Sequence, residues 1–204
     1  MLPRLLPLYI GLVIYGVSTA LFVHANLGAD PWDVFHLGVA KQLGISFGTV
    51  IILTGAAVLL LWIPIRQMPG LGTVSNVIVL GLAADATLAV LPPLESMVAR
   101  SALLAGAIVL NAIATGMYIG AGFGPGPRDG LMTGLHARTG WSLRGIRTAI
   151  ELSVLLIGWL LGGKFGVGTV IYALSIGPLI QLCLPWFRQP VSRKAVSTPQ
   201  EIVS

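Results

Sequence analysis

The polar side chains that could do chemistry lie within long apolar stretches of the chain. Asp85 is an acid inside the apolar run 71–91. A carboxylate in such a run is costly in lipid and marks a cation, proton or solute site by default. A packed, hydrogen-bonded acid is the alternative, and the sequence leaves both interpretations open.

A second group of polar residues lies on one helix face in each of two other apolar segments. Asn111, Thr115 and Tyr118 follow at helical spacing, and Tyr15 and Thr19 form a weaker stripe near the start of the chain. Such stripes predict the lining of a central cavity. Hydrogen bonds between helices, worth about 0.6 kcal/mol each, are the alternative. The predicted substrate-binding residues are therefore Tyr15, Thr19, Asp85, Asn111, Thr115 and Tyr118.

Motifs of the common enzyme classes do not occur in the sequence. There is no Walker A, H-E-x-x-H or G-x-S-x-G pattern, and no acid, base and nucleophile can be placed together. His24, His36 and His136 are scattered, and Cys183 is the single cysteine. We therefore predict no enzyme activity, no catalytic residue, no metal ligand and no cofactor.

The composition indicates a protein that lives in a lipid bilayer. The chain is 55% hydrophobic and 9% charged, with a mean hydropathy of +0.91, whereas soluble domains carry about 25% charged residues. Basic residues lie between the apolar segments rather than in one patch, which argues against nucleic-acid binding. Six spans are predicted. They are Leu5–Val23, Gly48–Ile65, Leu71–Leu91, Ser101–Ala121, Thr148–Leu161 and Val167–Phe187.

The chain contains the same pattern twice, at a constant offset of 96 residues. The stretch Asn26–Gly44 matches Gly122–Gly140, and the register continues without a gap as far as Gly81 and Gly177. This indicates a tandem duplication. We predict repeat 1 at 1–92, a linker at 93–100, repeat 2 at 101–187 and a disordered cytoplasmic tail at 188–204.

Each copy carries a short helix-start motif between its first two spans. Proline suits the first helical position and an acid suits the first turn, so we predict helices over 31–43 and 127–139. Thirteen residues reach only about 20 Å, so these helices are either interfacial or re-entrant. The motif residues either cap the helices or also lie beside the substrate, and the sequence leaves both roles open. These are Gly28, Pro31, Asp33, Gly124, Pro127 and Asp129.

Basic residues predict the orientation of the chain. Nine Lys and Arg residues fall on the side of the N-terminus and three fall on the other side, which places both termini in the cytoplasm. Because three spans is an odd number, the two copies cross the membrane in opposite directions, as in many transporters. Within the motif, Trp32 is predicted to anchor the outer interface and Arg128 to face the cytoplasm.

The stretches LGADPWDVFHLGVAKQLGISFGTV and GFGPGPRDGLMTGLHARTGWSLRGIR resemble the YczE/YyaS/YitT-like bacterial integral membrane proteins, and the YczE-like branch in particular. The resemblance covers Leu5 to Phe187. It implies a multi-pass protein of the bacterial plasma membrane whose molecular activity is largely unassigned.

The sequence therefore predicts an all-α membrane protein of six spans in two inverted three-helix repeats. The function predicted first is secondary transport of a small molecule or ion at a site between the repeats. The alternative is a membrane accessory or scaffold protein that transports nothing. A polar cavity between the halves favours the first function, whereas a solid apolar seam favours the second. Lipid is the expected partner, and assembly with further copies is left open.

Overall fold

The computed structural model describes residues 2–187, so the predicted disordered tail lies outside the described residues. Within that range the chain is entirely helical, with eight α-helices and no strand. The helices are α1 (Leu2–Ala25), α2 (Pro31–Leu43), α3 (Phe47–Ile65), α4 (Leu71–Val90), α5 (Met97–Gly120), α6 (Pro127–Thr139), α7 (Leu143–Leu160) and α8 (Val167–Phe187).

Local signals fix the ends of the two short helices, α2 and α6. Each begins at a proline, Pro31 or Pro127, where the missing N–H costs no hydrogen bond. Each ends before a glycine in the left-handed conformation, with φ of 66° at Gly44 and 69° at Gly140. The predicted helices 31–43 and 127–139 are confirmed at both ends.

Five of the described helices are long and apolar enough to cross a bilayer, namely α1, α3, α4, α5 and α8. The sixth predicted span corresponds to α7, which has 18 residues but carries Arg144, Arg147 and Glu151 in its first half. The apolar helices present large side chains to their surroundings, such as Leu60 on α3 and Leu174 on α8. The protein is therefore a membrane protein with several apolar helices.

The centre of the bundle is the antiparallel pair α1 and α5, flanked by α4 beside α1 and α8 beside α5. Gly11 lets the two helices approach closely, because a Cβ at that position would lie 3.0 Å from the backbone nitrogen of Tyr118. Further packing joins α3 to α4 within the first half, and it joins α2 to α7 and α6 to α3 between the halves. The short helix of each half is thus packed against a long helix of the other half.

The two halves contact each other through equivalent pairs of residues. The backbone N–H of Gly72 donates to the carbonyl of Phe123 at 2.9 Å, and the N–H of Gly168 donates to the carbonyl of Leu27 at 2.8 Å. Gly72 and Gly168 are 96 residues apart, as are Leu27 and Phe123. Each half therefore makes the same contact with the other.

Candidate functional site

The first turns of α2 and α6 meet at a cavity of about 110 Å³ inside the bundle. Helix N-termini carry partial positive charge from unpaired backbone N–H groups. In α2 the carboxylate of Asp30 accepts the N–H of Asp33 at 2.7 Å, whereas α6 has Gly126 at the equivalent position and no side-chain cap. The cavity is large enough for several waters or a small solute.

Arg128 bridges the two short helices at this cavity. Its guanidinium donates to the carboxylate of Asp30 at 3.3 Å and lies 3.8 Å from that of Asp33. It also lies 4.9 Å from the ring centroid of Trp32, in cation–π contact. A guanidinium shared between two carboxylates and an indole joins one half of the chain to the other.

The predicted places of Trp32 and Arg128 on opposite membrane faces are wrong. Trp32 is only 6% exposed and packs with Val58, Trp62 and Leu131 in an apolar cluster. The side chain of Arg128 joins the first turns of α2 and α6, so these turns do not lie at two separate interfaces. The two residues therefore meet in the interior.

Asp33 lies behind this contact, with only 2% of its side chain exposed. The Nδ1 atom of His36, one helical turn later, lies 3.3 Å from its carboxylate. His36 in turn stacks edge-on against Phe47 of α3. The acid of the first motif is thus a buried partner of Arg128 and His36.

Asp129, the acid of the second motif, has different surroundings and lines the cavity itself. The hydroxyl of Tyr118 donates to its carboxylate at 3.2 Å, and the ring of Tyr118 packs edge-on against Tyr15. Among the described residues Asp129 takes part in no ion pair. Its carboxylate is therefore held by one neutral donor and by the positive end of α6.

A second ion pair lies on the α7 wall of the cavity. The guanidinium of Arg147 donates to the carboxylate of Glu151 at 2.9 Å, one turn along the helix, as its spacing predicts. The equivalent residues on α3 are Ile51 and Gly55, which line the opposite wall. One wall of the cavity is thus apolar and the other is charged.

Among the predicted substrate-binding residues, Tyr15 and Tyr118 line the cavity. Asn111 lies between helices instead, where its amide donates to the hydroxyl of Ser18 at 2.9 Å and accepts from that of Tyr172 at 3.3 Å. Thr19 and Thr115 are buried at 2% and 6% exposure and do not line this cavity. The polar stripes therefore divide between cavity lining and helix packing.

Asp85 lies at the junction of α3 and α4 and outside the cavity lining. Its carboxylate accepts the N–H of Gly48 at 2.6 Å and the hydroxyl of Ser46 at 2.5 Å. These partners belong to the start of α3. In this structure Asp85 holds the first turn of α3 against α4.

The motif glycines Gly28 and Gly124 lie where the halves touch. Their φ angles of 110° and 112° are in a region that L residues rarely adopt. A Cβ on Gly28 would lie 2.8 Å from the hydroxyl of Thr169, and one on Gly124 would lie 2.9 Å from that of Thr73. Both positions therefore need glycine for conformation and for close approach.

Sequence reasoning missed most of the charged lining of the cavity. Asp30 stands opposite Gly126, and Trp32 opposite Arg128, between the Gly, Pro and Asp positions that both copies retain. Divergence within a retained motif is the signal that could have found these residues. A group of three or more His, Cys, Asp or Glu residues that could hold a metal ion does not occur in the described part of the chain.

Comparison with known proteins places the chain among bacterial membrane proteins. Residues 2–185 match the family described as "Family of unknown function (DUF6198)". A Haemophilus influenzae "Uncharacterized protein" is 38% identical over 87% of this chain and 81% of its own length. The Bacillus subtilis "Uncharacterized membrane protein YczE" is 31% identical over 87% and 83%. The "Uncharacterized protein YyaS" of the same organism is 23% identical over 86% and 90%. No solved structure matches the chain significantly.

Proposed function

We propose a transport function for this chain, which belongs to the DUF6198 family of unknown function. It acts as a secondary transporter of the bacterial plasma membrane, with its substrate site in the cavity between two inverted three-span repeats. The observation that carries this proposal is the cavity itself. It is lined by Asp30, Arg128, Asp129, Arg147 and Glu151, in a bundle that contains five long apolar helices. Charged groups in such a place mark solute or ion pathways.

Reciprocal contacts between the halves support the inverted arrangement. Gly72 with Phe123 repeats as Gly168 with Leu27, and α2 packs on α7 as α6 packs on α3. A two-fold axis between the halves produces such exchanged pairs. In this account α7 is the sixth span. Arg147 and Glu151 of its first half line the cavity, and Arg144 lies exposed at its start. The axis passes between Trp32 and Arg128, which occupy equivalent positions and touch.

The position of the cavity favours transport over the scaffold alternative. A protein that used the duplication only as a stable fold would gain most from a solid apolar seam, because unpaired or imperfectly paired charges in the interior cost free energy. Here the seam contains a largely buried ion pair, Arg128 with Asp30, and a more exposed one, Arg147 with Glu151. Function is the stronger reason to keep them.

A difference between the halves supports alternating access. α3 packs along α4, where Gly48 and Gly81 bring the backbones together and Asp85 binds the start of α3. The equivalent helices α7 and α8, both fully described, do not pack along each other, and no described atom lies within 4 Å of a Cβ at Gly177. We assign the packed side to the exterior and the separated side to the cytoplasm. During transport the packed pair separates and the separated pair packs, so that the cavity opens to the other side of the membrane.

A flux screen with a plugged cavity tests the proposal. Purified protein in proteoliposomes is given a mixture of bacterial metabolites, and uptake and efflux are measured by mass spectrometry. Thr54→Trp places an indole in the cavity from α3. The neighbouring variant Leu53→Trp is the matched control, because Leu53 is 55% exposed on the outside of the same helix.

We expect at least one compound to cross with the wild type and with Leu53→Trp, and flux of that compound to be lost with Thr54→Trp. If no compound crosses with the wild type, the accessory or scaffold function replaces transport. If Thr54→Trp transports as well as the wild type, the route lies elsewhere.

A further inference from the structure

Charges around the cavity are unequal, and the excess is negative. Among the lining residues, three carboxylates face two guanidinium groups: Asp30, Asp129 and Glu151 against Arg128 and Arg147. Both guanidinium groups are paired, Arg128 with Asp30 and Arg147 with Glu151. The remaining carboxylate is that of Asp129. A charge in the interior of a membrane protein needs a partner of opposite sign, and a bound cation supplies one.

The indole N–H of Trp32 is a buried donor without a partner in the wall of this cavity. Trp32 lines the cavity and is 6% exposed, and its Nε1 atom is the buried side-chain polar atom without a hydrogen-bond partner among the described residues. Buried donors are nearly always paired, because leaving one unpaired is destabilising. The Nε1 atom has no surface open to a water molecule in this structure, so an acceptor oxygen of a ligand would satisfy this donor after a small movement of the side chains that cover it.

Aromatic rings complete the surroundings of the two groups. Tyr15 and Tyr118 line the cavity beside Asp129, and Tyr172 lines it from α8. Aromatic faces attract organic cations and accommodate their alkyl groups. The guanidinium of Arg128 already uses the face of Trp32 in this way. A fully hydrated metal ion would gain little from these walls.

We propose that the solute is a small organic cation that also carries an acceptor oxygen, such as an amino alcohol. Its cationic nitrogen lies against the carboxylate of Asp129, and its oxygen accepts the indole N–H of Trp32. This inference rests on the proposed transport site and names the chemical class that the site takes. The two contacts are separable, since one depends on charge and the other on a single N–H group.

Equilibrium binding to the protein in lipid nanodiscs tests the inference with three probes. Choline has the cation and a hydroxyl oxygen, tetramethylammonium has the cation alone, and acetate has acceptor oxygens and the opposite charge. Isothermal titration calorimetry gives each Kd without any need for flux. We expect choline to bind most tightly, tetramethylammonium more weakly, and acetate least.

Variants assign the two contacts. Asp129→Asn should weaken choline and tetramethylammonium about tenfold or more, because a desolvated charge contact is lost. Trp32→Phe keeps the ring under Arg128 but removes the N–H, so it should weaken choline about fivefold and leave tetramethylammonium unchanged. Glu95→Gln is the matched control, because Glu95 is an exposed acid between α4 and α5, outside the cavity.

Three results would overturn the inference. They are unchanged affinity for the cations in Asp129→Asn, tighter binding of acetate than of either cation, and no binding of either cation. If Trp32→Phe weakens the affinities for choline and tetramethylammonium equally, the proposed hydrogen bond to the indole N–H is wrong. If Asp129→Asn does not fold, Asp129→Glu tests the charge, and it should bind the cations. If the cations bind but no compound is transported, the proposed transport function is wrong and the proposed ligand class stands. If an anion is transported and Asp129→Asn does not change its flux, the ligand class is wrong and the transport function stands.

Discussion

The guanidinium of Arg128 lies 4.9 Å from the ring centroid of Trp32, although the two residues occupy equivalent positions in the two copies of one repeated motif. In the proposed inverted arrangement, the two-fold axis passes between these two residues. The motif residues that differ between the two copies therefore lie where the two halves meet. Charge from one copy and an aromatic ring from the other create an arrangement that neither copy contains alone.

Removing the charge of Arg128 should destabilise the fold strongly. Arg128→Met leaves Asp30 and Asp33 without their guanidinium, and breaking a buried pair in this way costs about 3–5 kcal/mol. The free energy of unfolding in detergent, from titration with a denaturing detergent, measures the effect. Arg144→Gln is the control, because Arg144 is exposed at the start of α7. Equal stability of the two variants would show that Arg128 is not a structural partner of these acids.

Equivalent glycines on α4 and α8 should respond differently to alanine. A Cβ on Gly81 would lie 2.5 Å from the carbonyl oxygen of Gly48, so Gly81→Ala should cost about 1–3 kcal/mol or push α3 away from α4. Gly177→Ala meets no described atom within 4 Å and should gain up to about 1 kcal/mol of helix stability. Thermal unfolding of both variants measures the difference. The same response at both positions would contradict the separated arrangement of α7 and α8.

Gly28 should tolerate alanine less well than Gly44. Both have positive φ, so alanine costs backbone strain at both positions. The cost is about 1–2 kcal/mol at Gly44, where φ is 66°, and it is larger at Gly28, where φ of 110° lies outside the left-handed region open to other residues. At Gly28 the new Cβ would also lie 2.7 Å from the backbone nitrogen of Gly166, whereas at Gly44 no described atom lies within 4 Å. We expect Gly28→Ala to lower the unfolding midpoint clearly further than Gly44→Ala. Equal losses would show that the halves do not approach closely at Gly28.

Asn111 should matter for stability and leave flux intact. Asn111→Leu removes hydrogen bonds to Ser18 and Tyr172 between helices, at a cost of about 1 kcal/mol in total. Stability and flux are measured on the same preparation. If the variant keeps its stability but loses flux, Asn111 contributes to the substrate site, as its position in the sequence predicts.

Local signals made the helix ends predictable, whereas the cavity depends on contacts between distant segments. Pro31 and Gly44 specify the start and end of α2 from neighbouring residues alone. Arg128 and Asp30 are 98 residues apart, and their pairing requires the two helix N-termini to meet. The hydrogen-bond partners of Asp85 are likewise 37 and 39 residues away, so the sequence did not predict that Asp85 binds the start of α3.

The Arg147–Glu151 pair shows the other limit of the sequence. A spacing of four residues on one helix favours an ion pair, and the structure contains it. Periodicity does not say which direction the pair faces, because α7 has both an apolar and a charged side. The packing of α7 against α2 places the pair on the cavity wall.

Cysteine labelling of equivalent loops tests the opposed orientation of the halves most directly. Met68 joins α3 to α4, and Lys164, at the equivalent position 96 residues later, joins α7 to α8. Met68→Cys and Lys164→Cys are made separately in a Cys183→Ala background and labelled in whole cells with a membrane-impermeant maleimide. We predict that Cys at 164 is labelled from outside and that Cys at 68 is labelled only after the membrane is opened. Labelling of both positions from the same face would contradict the inverted repeats and the transport site between them.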